Sequence, residues 1–200
     1  MRVQDSQVAR TDLLKLLTEL SFAEREVQLV SGRHSNFYVD CKQTTLHPMG
    51  QVLVGHLVLH AIQEYEKQVN RKLAAVGGLT LGADPISSAV AYTSALEEAP
   101  LPAFIVRKEA KGHGTGAFLE GLQNIPAGSE VCVVEDVVTT GGSALKAVQR
   151  VRDAGYVVNL VVGLVDRLEG GRENTEAADV KLVTLFTRRD FLADDKVKSW

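Results

Sequence analysis

The residues with the most chemistry in this chain stand together in Val131-Cys132-Val133-Val134-Glu135-Asp136-Val137-Val138-Thr139-Thr140-Gly141-Gly142-Ser143-Ala144-Leu145. A buried-type run leads into two adjacent carboxylates, then a turn of hydroxyls and glycines, then a helix. A loop entering a helix N-terminus presents unpaired backbone N–H groups and the positive end of the helix dipole, which suits a phosphate. Gly141 and Gly142 let backbone approach such a ligand closely, and Thr139, Thr140 and Ser143 add hydroxyl donors. Carboxylates beside a phosphate repel it, so Glu135 and Asp136 require a different partner. Ionised carboxylates only accept hydrogen bonds, and the vicinal hydroxyls of a ribose supply two donors side by side. A sugar phosphate accounts for both halves of the segment. The plainer reading is a capped strand–loop–helix with two solvated acids.

Other glycine-rich stretches do not fit better-known phosphate loops. Gly77-Gly78-Leu79-Thr80-Leu81-Gly82 is followed by Ala83-Asp84, not by Lys-Ser, so it is no Walker A loop. Gly112, Gly114 and Gly116 lack the dinucleotide-binding spacing.

A second cluster is cationic: Arg107, Lys108, Lys111 and His113, followed by Gly114 and Gly116. Cations clustered among glycines can bring charge onto a polyanion, and donors aimed where negative charge grows as a bond breaks help the transition state more than the ground state. The alternative is an ordinary solvated basic loop. Arg167 follows an apolar run, and a guanidinium is a natural bidentate partner for a carboxylate, although an ion pair with Glu169 or Glu173 accounts for it equally well. His56, His60 and Glu64 recur at helical spacing, which fits a polar helix face better than a metal site. Cys132 reads as a small buried hydrophobe, and Cys41 has no obvious neighbour to stabilise a thiolate. Covalent catalysis is not indicated.

These groups must be positioned by the elements around them. Leu13, Leu16, Leu17 and Leu20 predict an amphipathic helix capped by Asp5 or Ser6. Val27-Gln28-Leu29 and Phe37-Tyr38-Val39 predict short strands hinged at Ser31-Gly32, and His47-Pro48 opens a second helix. Apolar runs then appear at Leu73–Val76, Ala103–Val106, Val131–Val134, Val157–Val165 and Val180–Phe186, with helices at Pro85–Leu96 and Ser143–Ala154. Asp84 is a cap candidate for the first of these, and Gly155 stands just past the second. Continuous apolar strands between helices predict an α/β fold: a doubly wound, mainly parallel central sheet flanked by helices. Residues 1–200 read as one domain, with about 1–70 as an N-terminal hood and about 71–200 as the core. In such sheets ligands bind beyond the carboxyl ends of the strands, where Glu135 to Ser143 and Arg167 fall.

With these motifs in view, Val133 to Ser143 resembles the phosphoribosyl-diphosphate (PRPP) motif of type I phosphoribosyltransferases. Ser31-Gly32-Arg33-His34-Ser35-Asn36-Phe37-Tyr38, Gly77–Pro85, Arg107-Lys108-Glu109-Ala110-Lys111-Gly112-His113-Gly114 and Asp166-Arg167-Leu168-Glu169-Gly170-Gly171 narrow the resemblance to the orotate phosphoribosyltransferase branch. The resemblance implies Mg²⁺-dependent transfer of ribose 5-phosphate from PRPP to orotate, giving orotidine 5′-monophosphate and pyrophosphate, a step of pyrimidine biosynthesis. It implies catalytic roles for Lys111, His113 and Asp136. PRPP contacts fall on Arg107, Lys108, Lys111, His113, Glu135, Asp136, Val137, Val138, Thr139, Thr140, Gly141, Gly142 and Ser143. Orotate contacts fall on Tyr38, Val39, Thr139 and Arg167. Mg²⁺ is expected mainly on PRPP and pyrophosphate oxygens, with no protein ligand assigned. The resemblance further implies a homodimer whose 107–116 loop acts in the neighbouring subunit's site. Many family members carry lysine where Val30 and Leu81 stand here, so two expected phosphate cations are absent.

Composition sets outer limits on function. In 200 residues the apolar share is 45%, the charged share 24% and the net charge −3, which fits a soluble globular chain without the basic footprint of a nucleic-acid coat. Two cysteines, a polar N-terminus and no apolar run long enough for a membrane span predict a cytoplasmic setting. A phosphoribosyltransferase for another base is the near rival, disfavoured by Arg167. A non-catalytic PRPP-sensing regulator is the distant one, disfavoured by the charge balance and the Lys111/His113 loop.

Overall fold

The computed structural model describes residues 5–28, 34–109 and 118–192. Helix α1 (Ser6–Leu20) starts where Asp5 accepts hydrogen bonds from the Gln7 and Val8 amides, a cap that typically contributes about 1 kcal/mol. Its apolar stripe buries Ala9, Leu13 and Leu17. Strands β1 (Phe22–Gln28) and β2 (His34–Val39) form an antiparallel hairpin with an irregularity between Glu24 and Val27. Val27 therefore sits near the end of the first strand, which begins earlier than the apolar pattern suggests. A short helix, α2 (Lys42–Thr45), leads into α3 (Pro48–Val69), where the His47 ring accepts from the Met49 amide and Pro48 sits at the first turn.

The main sheet contains β3 (Val76–Leu79), β4 (Ala103–Val106), β5 (Leu119–Glu120), β6 (Glu130–Val138), β7 (Val157–Asp166) and β8 (Lys181–Thr187). Their order across the sheet is β5-β4-β3-β6-β7-β8, and every neighbouring pair is parallel except β4 with β5. Helices α4 (Asp84–Leu96), α5 (Gly142–Asp153) and α6 (Gly171–Glu176) complete the architecture, with a final 3₁₀ turn at Arg188–Phe191.

Alternation along the strands explains why both faces are apolar. Cys132 and Val134 of β6, with Leu160, Val162 and Leu164 of β7, join a cluster containing Leu13, Leu57 and Ile62. Val131 and Val133, with Val158 and Val161, pack instead against Ala144, Ala147, Val148 and Val151 of α5. Successive side chains point to opposite faces, so a strand covered on both sides must be apolar throughout. The first cluster also shows how the N-terminal elements are tied to the sheet: α1 and α3 share one core with β6 and β7.

The Leu73–Val76 run is not a strand; β3 begins where that run ends and continues through Gly77 and Gly78 to Leu79. Glycines weaken a strand signal, yet here they are required. A Cβ on Gly77 would lie 2.2 Å from the Phe104 carbonyl oxygen, and one on Gly78 2.2 Å from that of Val134. Gly155, with φ +87°, ends α5 as its spacing predicts. No helix among the described residues is long and apolar enough to cross a membrane.

From β3 the chain proceeds outward through β4, then returns to β6 on the other side of β3 and proceeds outward the opposite way. The order reverses between β3 and β6, which opens a crevice at their carboxyl ends.

Candidate active site

Three chain segments meet at that crevice. Strand β6 stays buried up to Glu135, which is 6% exposed, and then delivers Asp136, Val137 and Val138 to the rim. Glu135 Oε2 is buried and has no hydrogen-bond partner. Burial, reinforced by the adjacent Asp136 carboxylate, pushes the Glu135 carboxyl up to about 9. A buried carboxyl oxygen without a partner is costly unless a hydrogen-bonding ligand arrives to meet it. Asp136 Oδ1 accepts from the Val137 amide at 2.9 Å, while Oδ2 lies 3.8 Å from Lys42 Nζ.

Beyond the acids, Thr139 and Thr140 lead to Gly141, the residue before α5. Gly141 has φ +79°, a left-handed conformation that favours glycine, and a Cβ there would stand 3.2 Å from the Gly171 carbonyl oxygen. No side chain caps α5. Its first-turn amides are therefore available to a ligand, with Thr140, Gly142 and Ser143 exposed around them. The Thr140 carbonyl is held by Asn174 Nδ2 at 2.9 Å, and the Arg167 amide donates to the Val138 carbonyl at 2.9 Å.

The second segment is the turn after β3. Asp84 is not the cap expected from its position: it is the first helical residue of α4, Ala83 precedes it without a side-chain cap, and Asp84 Oδ2 accepts from Thr80 Oγ1 at 2.6 Å. Gly82 abuts the acid pair so closely that a Cβ on it would lie 2.5 Å from Asp136 Oδ1. Leu81 is exposed at this turn.

The third segment carries Arg167 past the end of β7. Arg167 Nη2 lies 2.9 Å from Glu169 Oε1, with side-chain exposures of only 11% and 15%, so this ion pair is sheltered rather than superficial. The guanidinium carbon lies 5.9 Å from the Phe37 ring centre, and that of Arg188 lies 5.5 Å from the same ring. Tyr38 and Val39 are half-buried beside Phe37 on β2, so the hairpin and the β7 and β8 ends share this side of the crevice. Phe37 itself is supported by Phe22 and Phe191, with ring centres 5.2 and 5.7 Å away.

Lys111 and His113 lie outside the described residues. The segment's flanks are described: Arg107 Nη1 lies 3.5 Å from Glu120 Oε1, and Lys108 is exposed. Arg150 of α5 donates to the Arg107 and Lys108 carbonyls, the latter at 3.0 Å, and its guanidinium carbon stands 4.0 Å from the Phe118 ring centre. One side chain thus holds both ends of the segment from 109 to 117.

Lys42, Phe37, Gly82, Arg150 and Arg188 are not among the site residues expected from the sequence, although Phe37 and Gly82 fall within its motifs. Arg188 had a readable signal, since it follows β8 as Arg167 follows β7; Lys42 had none, because α2 is too short to show periodicity. Elsewhere, His56 contacts Ser6 Oγ at 3.1 Å and Glu97 at 3.7 Å, and His60 lies 3.9 Å from Glu64. Among the described residues no three His, Cys, Asp or Glu side chains converge to hold a metal. Cys41 and Cys132 are buried free thiols whose pKa values burial drives upward, which leaves neither as a ready nucleophile.

No family model matches the chain. Its sequence is 48% identical over 186 residues to orotate phosphoribosyltransferase from Nostoc, covering 93% of this chain and 86% of that relative. Among solved structures, Mycobacterium tuberculosis orotate phosphoribosyltransferase in complex with Fe(III) dicitrate superposes with a TM-score of 0.75 at 38% identity, covering 92% of this chain and 99% of that one. The same enzyme in complex with PRPP gives a TM-score of 0.71 at 36% identity, covering 92% and 98%.

Proposed function

The chain belongs to the orotate phosphoribosyltransferase family, and from that premise we propose how its own residues move ribose 5-phosphate from PRPP to orotate. The reaction yields orotidine 5′-monophosphate and pyrophosphate, a step of pyrimidine biosynthesis.

The observation that carries the reading is the buried, unpartnered Glu135 oxygen beside Asp136, directly before an uncapped helix. The pair accepts hydrogen bonds from the ribose hydroxyls, and Thr139 to Ser143 seat the 5′-phosphate on backbone amides and hydroxyls. As the pyrimidine nitrogen approaches C1 and the pyrophosphate oxygen departs, positive charge gathers on the ring next to Asp136, which favours the transition state over the bound substrate. Arg107, Lys108, Lys111 and His113 neutralise the departing pyrophosphate; the pyrimidine nitrogen gives up its proton to solvent as its bond to C1 forms, and His113 or Lys111 supplies a proton to the pyrophosphate oxygen as its bond to C1 breaks. Orotate lies against the half-buried Tyr38 and Val39, which the buried Phe37 ring backs, its carboxylate on Arg167, with Thr139 reaching the base. Positioning supplies much of the effect, since no covalent intermediate is needed.

The residues present fit Mg²⁺ as a passenger on the substrate: among the described residues no three ligating side chains converge to cage it, and the ion prefers phosphate and water oxygens. When bound it screens the diphosphate charge. The 107–116 segment acts in the neighbouring subunit of a homodimer. Two buried free cysteines agree with a reducing, cytoplasmic setting.

The test is direct. Purified protein given PRPP, Mg²⁺ and orotate should deplete orotate absorbance, and chelation of Mg²⁺ should slow the loss. Intact absorbance with orotate while another base is consumed would reject this reading.

A further inference from the structure

We propose that Lys42 is a PRPP-binding residue on the diphosphate side of the crevice, supplied by the N-terminal hood rather than by the sheet. The proposal rests on the functional reading above and extends it to a residue outside the recognised motifs.

A site that binds a substrate with a phosphate at one end and a diphosphate at the other must offset the charge of its own acid pair. The turn after β3, Thr80 to Ala83, abuts Asp136 at Gly82, so a diphosphate extending from a sugar held on the acid pair has this turn beside it; the turn brings no cation, and its outermost side chain is the exposed Leu81. Lys42 brings one from α2. Its Nζ lies 2.7 Å from Asp40 Oδ1 and 3.8 Å from Asp136 Oδ2. The second separation is too long for a hydrogen bond but close enough for Coulomb attraction.

The arrangement holds the ammonium at the rim. Asp40 accepts from the Lys42 amide at 3.3 Å and from Gln43 Nε2 at 3.2 Å, so the carboxylate that anchors Lys42 is itself fixed at the start of α2. An ammonium carries three donors, and one is spent on Asp40. The side chain remains 43% exposed, which leaves the other donors accessible from the crevice. Gly82 closes the Oδ1 side of Asp136, and Lys42 stands on the Oδ2 side. A sugar whose hydroxyls rest on Asp136, with its diphosphate along the Thr80–Ala83 turn, carries that anion past the rim where Lys42 waits. Attraction to Asp40 also holds Lys42 protonated above the usual lysine range, so the charge is present throughout the working pH.

The experiment compares wild type with Lys42→Gln and Lys42→Arg in calorimetric titrations with PRPP and with pyrophosphate plus Mg²⁺, and in forward and reverse kinetics. Lys42→Gln should weaken PRPP and pyrophosphate about tenfold, the loss of a partly screened charge-assisted contact. KM for orotate should stay within about twofold, and Lys42→Arg should restore most of the PRPP affinity. A role confined to bracing Asp40 and α2 would instead weaken orotate and PRPP in parallel and lower the melting temperature. That pattern, or unchanged PRPP and pyrophosphate binding in Lys42→Gln, overturns the proposal. Wild-type protein is the reference in every titration, so a failure of the functional reading appears there and a failure of this proposal appears only in the variants.

Discussion

Replacing Gly82 by alanine displaces Asp136 without changing its chemistry. The added Cβ would sit 2.5, 2.6 and 2.9 Å from Oδ1, Cγ and Oδ2 of the Asp136 carboxylate, whereas ordinary van der Waals contact begins near 3.4 Å. The carboxylate must therefore retreat by about 1 Å. It is the end of a short side chain held by one amide hydrogen bond from Val137, so it can yield while the strand beneath stays in place. Overpacking of this kind costs about 1–3 kcal/mol at most sites, and the yielding neighbour puts Gly82→Ala toward the lower end. The catalytic cost is larger, because a misplacement of about 1 Å can cost about 10²-fold when alignment supplies much of the rate. Steady-state kinetics with varied PRPP should show kcat/KM reduced by about 10²-fold, with a melting temperature only a few degrees below wild type. Wild-type kcat/KM in a folded Gly82→Ala protein would refute the assignment of Asp136 to the ribose hydroxyls.

Three further outcomes are expected. In the free protein the Glu135 carboxyl is raised to about 9 from an ordinary value of 4.5, so the stability it contributes is complete below about 4.5 and is lost as pH rises through about 9. Melting curves of wild type and Glu135→Gln from pH 5 to 9 should diverge in that sense, with the variant losing less; parallel curves would contradict the shift. PRPP should also bind wild type more tightly as pH rises over the same range, because ribose hydroxyls need an ionised acceptor. Finally, Lys111→Ala and Asp136→Asn should each lower turnover by orders of magnitude, and mixing the two after dissociation should restore activity through hybrid dimers. No recovery in a demonstrably mixed dimer would reject the shared site.

The acids and phosphate loop were legible because they are contiguous: one strand end, one turn and one helix start carry them all, from Glu135 to Ser143. Arg167 was legible because it ends an apolar run. The rest depended on topology. Phe37, Lys42, Gly82 and Arg188 come from separate segments, and only the packing of the hairpin and α2 against the strand ends brings them near Arg167 and Asp136. Strand β3 was misplaced because its middle is Gly77-Gly78, chosen for close approach to Phe104 and Val134 and silent in hydrophobic periodicity. Asp84 misled for a related reason. Its residue type fits a cap, but its carboxylate is engaged by Thr80 instead.

The hold of Arg150 on residues 107, 108 and 118 turns α5 into a ruler. Its amino end faces the sugar-phosphate loop, and Arg150 follows roughly 12 Å farther along at about 1.5 Å per residue. Inserting or deleting one residue between them would swing Arg150 by about 100° around the axis and unhitch the basic segment, even with every charged group retained. The length of this helix is therefore under the same constraint as the side chains it separates.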